Sequence, residues 1–418
     1  MAGSPLADQA LAGEGLRKIH YSERIMPTLS ALASRFASEK PFDGMTVAAC
    51  LHVTAETAVL ARVLRAGGAR VALAASNPLS TQDDIAAALS SCEGVQVFAE
   101  AGADVGTYYS HIARAAEAGP DLVIDDGGDL VSTLHEASPD RMPIGGCEST
   151  ATGVLRLRRM MAEGALRFPV IAASDTPAKR LVDDTHGTGQ SVLDGLIRAS
   201  GILLAGKTVV VAGFGTCGTG IAECARGLGA RVVVTEVDPV RALDAALRGF
   251  RVLPLADAAP LGEVFITATG SADVITAEHM TLMRDGAILA NAGHFDVEID
   301  VRGLEDLAAV AEYHVRRHAD AYELPDGRRL LLLAEGRVVN LVAAGGHPPE
   351  VMDLAFGIEA LSLAWLARNA EKLLADVYPV PPDIDAEAAR LMLTALGAGI
   401  DTLTEAQRAY LASWHTWR

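Results

Sequence analysis

Residues 208–236, TVVVAGFGTCGTGIAECARGLGARVVVTE, limit the possible folds of this chain more than any other stretch. The continuous apolar run 208–212 predicts a strand buried on both faces. It breaks into Gly213-x-Gly215-x-x-Gly218, with Thr216 and Cys217 inside the turn, and a helix is expected from about Ile221. A second apolar run, 232–234, leads to Glu236. The three glycines act differently. One makes the tight turn, one lets the backbone approach a pyrophosphate, and one lets helix and strand pack closely. The helix N-terminus offers free N–H groups and partial positive charge to that pyrophosphate. Glu236 stands where a carboxylate accepts both hydroxyls of an adenosine ribose, which favours NAD over NADP. Glycine-rich turns are common, so the triplet alone is a weak signal. Strand, helix and acid together predict a dinucleotide-binding half.

The remainder alternates in the same way. After a polar lead, residues 21–40 carry Ile25, Leu29, Leu32 and Phe36 at helical spacing and predict one amphipathic helix. Strands are expected at 46–50, 70–75, 95–99, 121–125 and 170–173, with helices at 56–66, 82–90, 108–118 and 152–163 between them. That order predicts a parallel, doubly wound sheet. Apolar runs at 264–267 and 287–289 extend a second sheet, and from Gly345 the pattern turns helical through 352–374 and 385–396. The expected architecture is α/β, with two doubly wound parallel-sheet domains and a small helical C-terminal segment. The first, substrate-binding domain is expected over 1–186, completed by about 346–380. The NAD-binding Rossmann domain is expected over 187–345, and a helical oligomerisation segment over 381–418. A chain of 418 residues is long for a single core, which suits such a division.

A net charge of -18 argues against nucleic acid or an anionic membrane as partner, since both would repel the chain. The five cysteines (Cys50, Cys92, Cys147, Cys217, Cys224) form no CxxC pair, and their odd number suits reduced thiols in a cytoplasm. No metal site is expected. The start, MAGSPLADQALAGEG, lacks a basic lead and a long apolar core, and no uncharged apolar run approaches membrane-spanning length. A cytoplasmic protein is expected.

In open parallel sheets, ligands bind beyond the carboxyl ends of the strands. His52 follows the first expected strand, Asn77 and Ser80-Thr81-Gln82-Asp83 the second, and Asp125-Asp126-Gly127-Gly128-Asp129 the fourth. Ser174-Asp175 and Asn291-Ala292-Gly293-His294 end two more. Asp126, in IDDGGD, is either a proton shuttle or an Asx-type turn residue closing a strand. Lys179 and Asp183 are four residues apart and share a face if helical. They form a solvated surface pair or, with Asp184 and His186 close behind, part of a cleft. In a cleft, a lysine deprotonated by burial would remove a proton from a hydroxyl as NAD takes the hydride. His52 and His294 are acid–base candidates or structural histidines. His347, in GGHPPE, stands where the chain leaves the dinucleotide half and suits a hinge or a ligand role.

The motifs CLHVTAETAVL, SNPLSTQDD, IDDGGD, AGFGTCGTG, NAGHFDVEIDV and LLAEGRVVNL…GHP resemble the S-adenosylhomocysteine hydrolase family. The resemblance covers nearly the whole chain from Tyr21. GTGQS and YLASW look like its shorter archaeal and thermophilic branch, and the longer branch's Lys/Tyr-bearing tail, which reaches a neighbour's cofactor, is absent. The resemblance implies that resident NAD oxidises the 3'-hydroxyl of a nucleoside, which acidifies the C4' proton. A C5' substituent then leaves by elimination, water or a thiol adds, and the hydride returns. By matching position, Lys179 and Asp183 would handle the 3'-hydroxyl and C4' protons, and His52, Asp126 and His294 the groups at C5'. Thr54 and Glu56 would read adenine, while Gln82, His347 and Met352 would line the substrate cavity. Thr150, Thr152, Glu236, Thr269, Asn291 and Asn340 would contact NAD. A homotetramer or homodimer is implied.

The chain departs from the family's pattern around the sugar. The family's SEETTTG reads Cys147-Glu148-Ser149-Thr150-Ala151-Thr152-Gly153, which puts Ser149 where the family has a sugar-contacting Glu. Asn-Asp-Ser becomes Ser174-Asp175-Thr176, and Phe-Asp-Asn becomes Val182-Asp183-Asp184. A site that loses such hydrogen bonds discriminates against its old ligand. The expectation is a divergent member that dehydrates a modified adenine nucleoside, psicofuranine-like (angustmycin-type), to a 4',5'-unsaturated product. The alternatives are a working adenosylhomocysteinase and an inactive NAD-binding regulator.

Overall fold

Runs of small and β-branched residues, buried on both faces, build two separate sheets. The computed structural model describes residues 5–137 and 141–414. In the first half, β1 (Thr46–Leu51), β2 (Arg70–Ala75), β3 (Gln96–Phe98), β4 (Leu122–Asp125), β5 (Gly145–Glu148) and β6 (Val170–Ala172) pair in parallel. The second half holds β7 (Thr208–Ala212), β8 (Arg231–Thr235), β9 (Arg251–Val252), β10 (Val264–Thr267), β11 (Ala287–Asn291), β12 (Val310–Arg316), β13 (Ala319–Glu323) and β14 (Arg329–Leu333). The last strand, β15 (Val377–Pro379), returns to pair with β6.

The strand orders are β15-β6-β5-β4-β1-β2-β3 and β12-β13-β14-β11-β10-β7-β8-β9. In the first sheet the winding reverses between β1 and β4, and in the second between β7 and β10. A crevice opens beyond the strand ends at each such reversal. His52 and Asp126 therefore flank one crevice, and Gly213 and Thr269 the other.

The structure differs from the sequence expectations at several points. The helix expected over 21–40 is two helices, Pro5–Arg24 and Pro27–Glu39. Pro27 has no N–H, and its ring cannot follow a continuous helix. The carboxylate of Asp353 accepts from Thr28 N and Leu29 N at 2.8 Å each and so caps the second helix from a distant part of the chain. β12–β13–β14 is antiparallel, so the second sheet is mixed at that edge. β15 interrupts the stretch that reads as purely helical, before the helix Pro382–Ala395 packs Ile384 and Ala388 into the first core. Cys50, Cys147, Cys217 and Cys224 are free thiols, while the Cys92 side chain lies outside the described residues. Among the described residues, no helix is long and apolar enough to cross a membrane.

The helix after β7 begins at Thr216, earlier than the glycines suggest, because Gly218 and Gly220 lie inside it for close packing. A Cβ on Gly218 would stand 2.0 Å from Gly213 O, and one on Gly220 would stand 1.8 Å from Thr185 O. Gly220 thus lets the dinucleotide-side helix touch the segment that carries Asp183 and Asp184. Gly220→Ala should destabilise the protein by about 1–3 kcal/mol, the usual cost of overpacking. It should also lower activity by displacing those acids, and unchanged melting and turnover would contradict this close approach.

Candidate active site

At the first reversal, β1 delivers His52 and β4 delivers Asp126 side by side. His52 Nε2 stands 3.3 Å from Asp126 Oδ2, and His52 Nδ1 stands 2.5 Å from Ser80 Oγ. Ser76 Oγ also reaches Asp126 Oδ2, at 3.4 Å. The backbone N–H of Asp126 donates to Cys50 O, which ties its loop to the neighbouring strand. An imidazole held between a hydroxyl and a carboxylate can pass a proton either way.

The second group sits on residues 177–187. Thr176 caps the turn Pro177–Lys179, and the chain continues as a π-helix over Arg180–Gly187. In an α-helix the third and fourth residues on would face Lys179 and the fifth would turn away; the wider π turn brings the fourth and fifth to it together. Lys179 Nζ lies 2.7 Å from Asp184 Oδ1 and 3.6 Å from Asp183 Oδ1. His347 Nδ1 lies 3.3 Å from Asp183 Oδ1, and its Nε2 is 3.3 Å from Thr188 Oγ1. So the Lys179–Asp183 pair is not a solvated surface pair, and His347 packs into the same group.

Lys179 shifts in the direction opposite to the one expected from burial alone. Burial disfavours its ammonium, but Asp183 and Asp184 outweigh that and hold its pKa above the ordinary value. Burial likewise opposes the charge of Asp183, and Lys179 and His347 overcome it, so Asp183 stays below its ordinary pKa. Asp184 keeps a raised pKa, because burial exceeds the help from Lys179. Both shifts thus run in the direction of an ammonium beside an anionic Asp183.

Between the two groups lies a residue with no counterpart among the sequence candidates. Glu359, on the buried helix Pro349–Asn369, accepts from Ser149 Oγ at 2.7 Å. Its other oxygen is buried with no protein partner among the described residues, as is Ser174 Oγ. Burial pushes Glu359 up to about 8; the Ser149 hydroxyl and Lys179 oppose this, and Asp126 and Asp183 add to it. Asp125 and Glu148 are further strand-end acids that spacing alone does not single out. Glu148 Oε1 accepts from Gly127 N, Thr150 N and Thr150 Oγ1, bracing the loop that carries Asp126. The available signal for Glu359 is a lone acid inside the apolar run FGIEALSLAW.

A raised carboxyl pKa means that the folded state holds the proton longer than the unfolded chain does. The resulting stability is complete below the unfolded pKa, about 4.3 for Glu, and fades as pH rises through the folded value. Asp125, pushed up to about 7 chiefly by burial, acts with the same sign. Thermal stability should therefore fall between about pH 5 and 8, with Glu359 contributing no more than about 5 kcal/mol of it. Glu359→Gln, neutral throughout, should flatten that slope in a melting series. A slope identical to wild type would contradict the shift.

On the dinucleotide side, the residues fit NAD. Gly213 has φ +94, which favours glycine, and Gly215 gives the helix Thr216–Gly227 no side-chain cap. The first N–H groups of that helix are thus free for an anion. Glu236 accepts from Phe214 N, Val237 N and Asp238 N. Burial opposes its charge, yet these donors keep its pKa low. Asn340 Nδ2 donates to Ser191 Oγ, and its buried Oδ1, an acceptor with no partner among the described residues, suits an amide N–H. Thr216 Oγ1 stands 3.5 Å from Asp184 Oδ2, so the glycine-rich turn abuts the Lys179 group.

Residues 4–144 match the family described as S-adenosyl-L-homocysteine hydrolase, and residues 184–346 match its NAD binding domain. Proteins named adenosylhomocysteinase from Aquifex aeolicus and Aeropyrum pernix are 53% and 54% identical over 409 and 414 residues. Those matches span 97% and 99% of this chain and 98% and 99% of theirs. The chain belongs to the S-adenosylhomocysteine hydrolase family. NAD is its cofactor. Among solved structures, a dipicolinate synthase chain from Bacillus halodurans shares the fold, with a TM-score of 0.50 and 15% identity over 78% of this chain and 99% of that one.

The other family positions fall unevenly. Thr54 precedes the helix Ala55–Ala66, and Glu56 in its first turn accepts from Ser22 Oγ at 2.9 Å. Gln82 precedes the helix Asp83–Cys92, and Met352 packs partly buried against the first core. Thr150 caps the helix Ala151–Ala162 through Gly153 N, with Thr152 half-buried in the first turn. Thr269 is held by Glu298, through its N–H and its hydroxyl. Asn291 is buried, its amide donating to Gly293 O, Phe295 O and Gly336 O and its oxygen accepting from Gly293 N and Thr267. It braces the loop and has little left for a cofactor. His294 is exposed with its ring edge-on to Phe295, and no hydrogen bond or ion pair among the described residues joins it to His52 or Asp126.

Proposed function

We propose that the chain performs NAD-dependent elimination and addition at C5' of an adenine nucleoside, and that its reaction is that of its named relatives. S-adenosyl-L-homocysteine and water would be interconverted with adenosine and homocysteine. The observation that carries this reading is the buried Lys179–Asp183–Asp184–His347 group against Thr216 of the glycine-rich turn. Proton-handling groups beside a dinucleotide turn suit hydride and proton removal from one carbon. A second acid–base pair, His52–Asp126, suits a different carbon.

Bound NAD supplies reversible hydride acceptance at C3', so the net reaction carries no redox change. Asp183, kept anionic, is the group able to take the 3'-hydroxyl proton at rest. The Lys179 ammonium stabilises the negative charge that develops on that oxygen. Asp183 must pass that proton on to solvent, through Asp184 or His347 beside it, and is then anionic again and able to take the C4' proton. His52, steadied by Ser80 and Asp126, protonates the leaving atom at C5' and later takes a proton from the entering one. Glu56 accepts from the exocyclic amine of adenine, and Glu236 from the adenosine ribose of NAD.

A second reading, loss of water from a psicofuranine-like nucleoside, is favoured by one observation. Ser149 turns to Glu359 and Ser174 Oγ is unpartnered, so the sugar side offers polar groups in an altered pattern. A single assay separates the readings. NAD-loaded protein in heavy water is given adenosine with homocysteine, or the hydroxymethyl-bearing nucleoside alone. Condensation with deuterium at C4' supports the first reading. Loss of one water by mass with no condensation supports the second. No deuterium at C4' from any adenine nucleoside sinks both.

A further inference from the structure

Glu359 is the most telling buried group outside the acid–base clusters. Three observations converge on it. It is a carboxyl nearly closed off from solvent, on a helix whose neighbouring residues Ile358, Ala360, Leu361 and Leu363 are core. One oxygen is held by the hydroxyl of Ser149, at the end of β5. The other is buried, with no partner among the described residues. An unsatisfied buried carboxyl oxygen is costly to keep, and such groups generally mark a missing partner. Its surroundings indicate where that partner would be. Asp126, Lys179 and Asp183 are all within electrostatic reach, which puts the carboxyl in the neighbourhood of both acid–base groups.

We propose that Glu359 is a specificity-determining residue that reads a sugar hydroxyl of the nucleoside, with Ser149 as its positioning partner. The inference rests on the adenine-nucleoside reading above. The carboxyl reaches the sugar from the helix beneath the strand ends, while Ser149, which follows β5, is too short to do so and instead fixes one carboxyl oxygen. Burial favours the protonated form, so this group can donate a hydrogen bond as well as accept one. That pattern differs from a carboxylate, which only accepts. A sugar is then selected by the order of donors and acceptors around Glu359, Ser149 and Ser174.

The test measures binding of adenosine, 2'-deoxyadenosine and 3'-deoxyadenosine to the NAD-loaded protein, as wild type, Glu359→Gln, Glu359→Ala and Ser149→Ala. Melting temperatures are recorded beside each titration. If Glu359 reads a hydroxyl, Glu359→Ala should weaken adenosine roughly tenfold or more while changing one deoxy analogue far less. The wild-type preference for that hydroxyl should shrink accordingly. Ser149→Ala should give a smaller loss with the same hydroxyl dependence. Glu359→Gln keeps the shape and serves if the alanine variant fails to fold; it should alter the preference without a matching fall in melting temperature. An equal loss for all three ligands, or no loss, would overturn the inference and leave the adenine-nucleoside reading standing. Wild-type protein that bound none of the three would overturn both.

Discussion

Lys179→Met should abolish NADH formation on addition of an adenine nucleoside, lowering its rate by about 100–10,000-fold, the range for losing a positioned acid–base group. The reason is electrostatic. The ammonium lies between Asp183 and Asp184, and all three side chains are mostly buried. Without it, two adjacent carboxylates share a site with only His347 beside Asp183 to offset their repulsion, and such pairs relieve the strain by taking up a proton. Asp183 would then lose the anionic form that lets it accept the 3'-hydroxyl proton. Removing one member of a buried charge group also destabilises the fold by roughly 3–5 kcal/mol. Lys179→Arg separates the two effects: it keeps the positive charge and much of the stability but puts a planar fork where a single Nζ meets two acids. The expected result is a folded arginine variant that oxidises nucleoside poorly. NADH formation by the methionine variant within tenfold of wild type would refute a role for Lys179 at C3'.

Much of this arrangement is legible in the sequence. The glycine-rich turn, its flanking strands and Glu236 follow from hydrophobic runs and turn chemistry, which are local. His52 and Asp126 are legible because each ends an apolar run, and strand ends are where open parallel sheets bind ligands. The charge state of Lys179 is not legible. Spacing gives Asp183 as a neighbour, but only the π turn brings Asp184 as well, and two carboxylates reverse the effect of burial. Glu359 is hidden for a different reason: the stretch FGIEALSLAW has the composition of a core helix, and periodicity carries no information on which buried residue meets Ser149 from the other end of the fold. His294 shows the converse, since a strand-end position alone does not bring it to the His52–Asp126 pair.

The Lys179 group is coupled to the dinucleotide side through close backbone packing, because Gly220 on the dinucleotide-side helix meets Thr185 within the π-helix. A Cβ on Gly189 would likewise stand 2.6 Å from Gly220 O. This fixes Asp183 and Asp184 relative to the glycine-rich turn but leaves His52 and Asp126 attached to the first sheet alone. The groups proposed to act at C3' and at C5' are therefore held by different frames, and mutations should be able to separate them.

Asp126→Asn should do so, leaving NADH formation on adding adenosine within a few-fold of wild type while elimination or addition at C5' falls about 100–10,000-fold. Asparagine matches aspartate in shape, so the loop bond from residue 126 N to Cys50 O survives. What changes is the group facing His52. The imidazole now lies between the Asp126 carboxylate at 3.3 Å and the Ser80 hydroxyl at 2.5 Å. The carboxylate offers the imidazole Nε2 an acceptor that orients the ring for proton transfer; a carboxamide has one acceptor oxygen and a donor amide in its place, so it can hold the ring wrongly. Oxidised nucleoside should accumulate with the cofactor reduced, visible as a stable NADH absorbance without product. His52→Asn should give the same trapped state, and the double variant should be little worse than either single, because the two residues act as one unit. Equal loss of NADH formation and of C5' chemistry in Asp126→Asn would show that the residue only supports the fold. Additive losses in the double variant would show two independent roles in place of one relay.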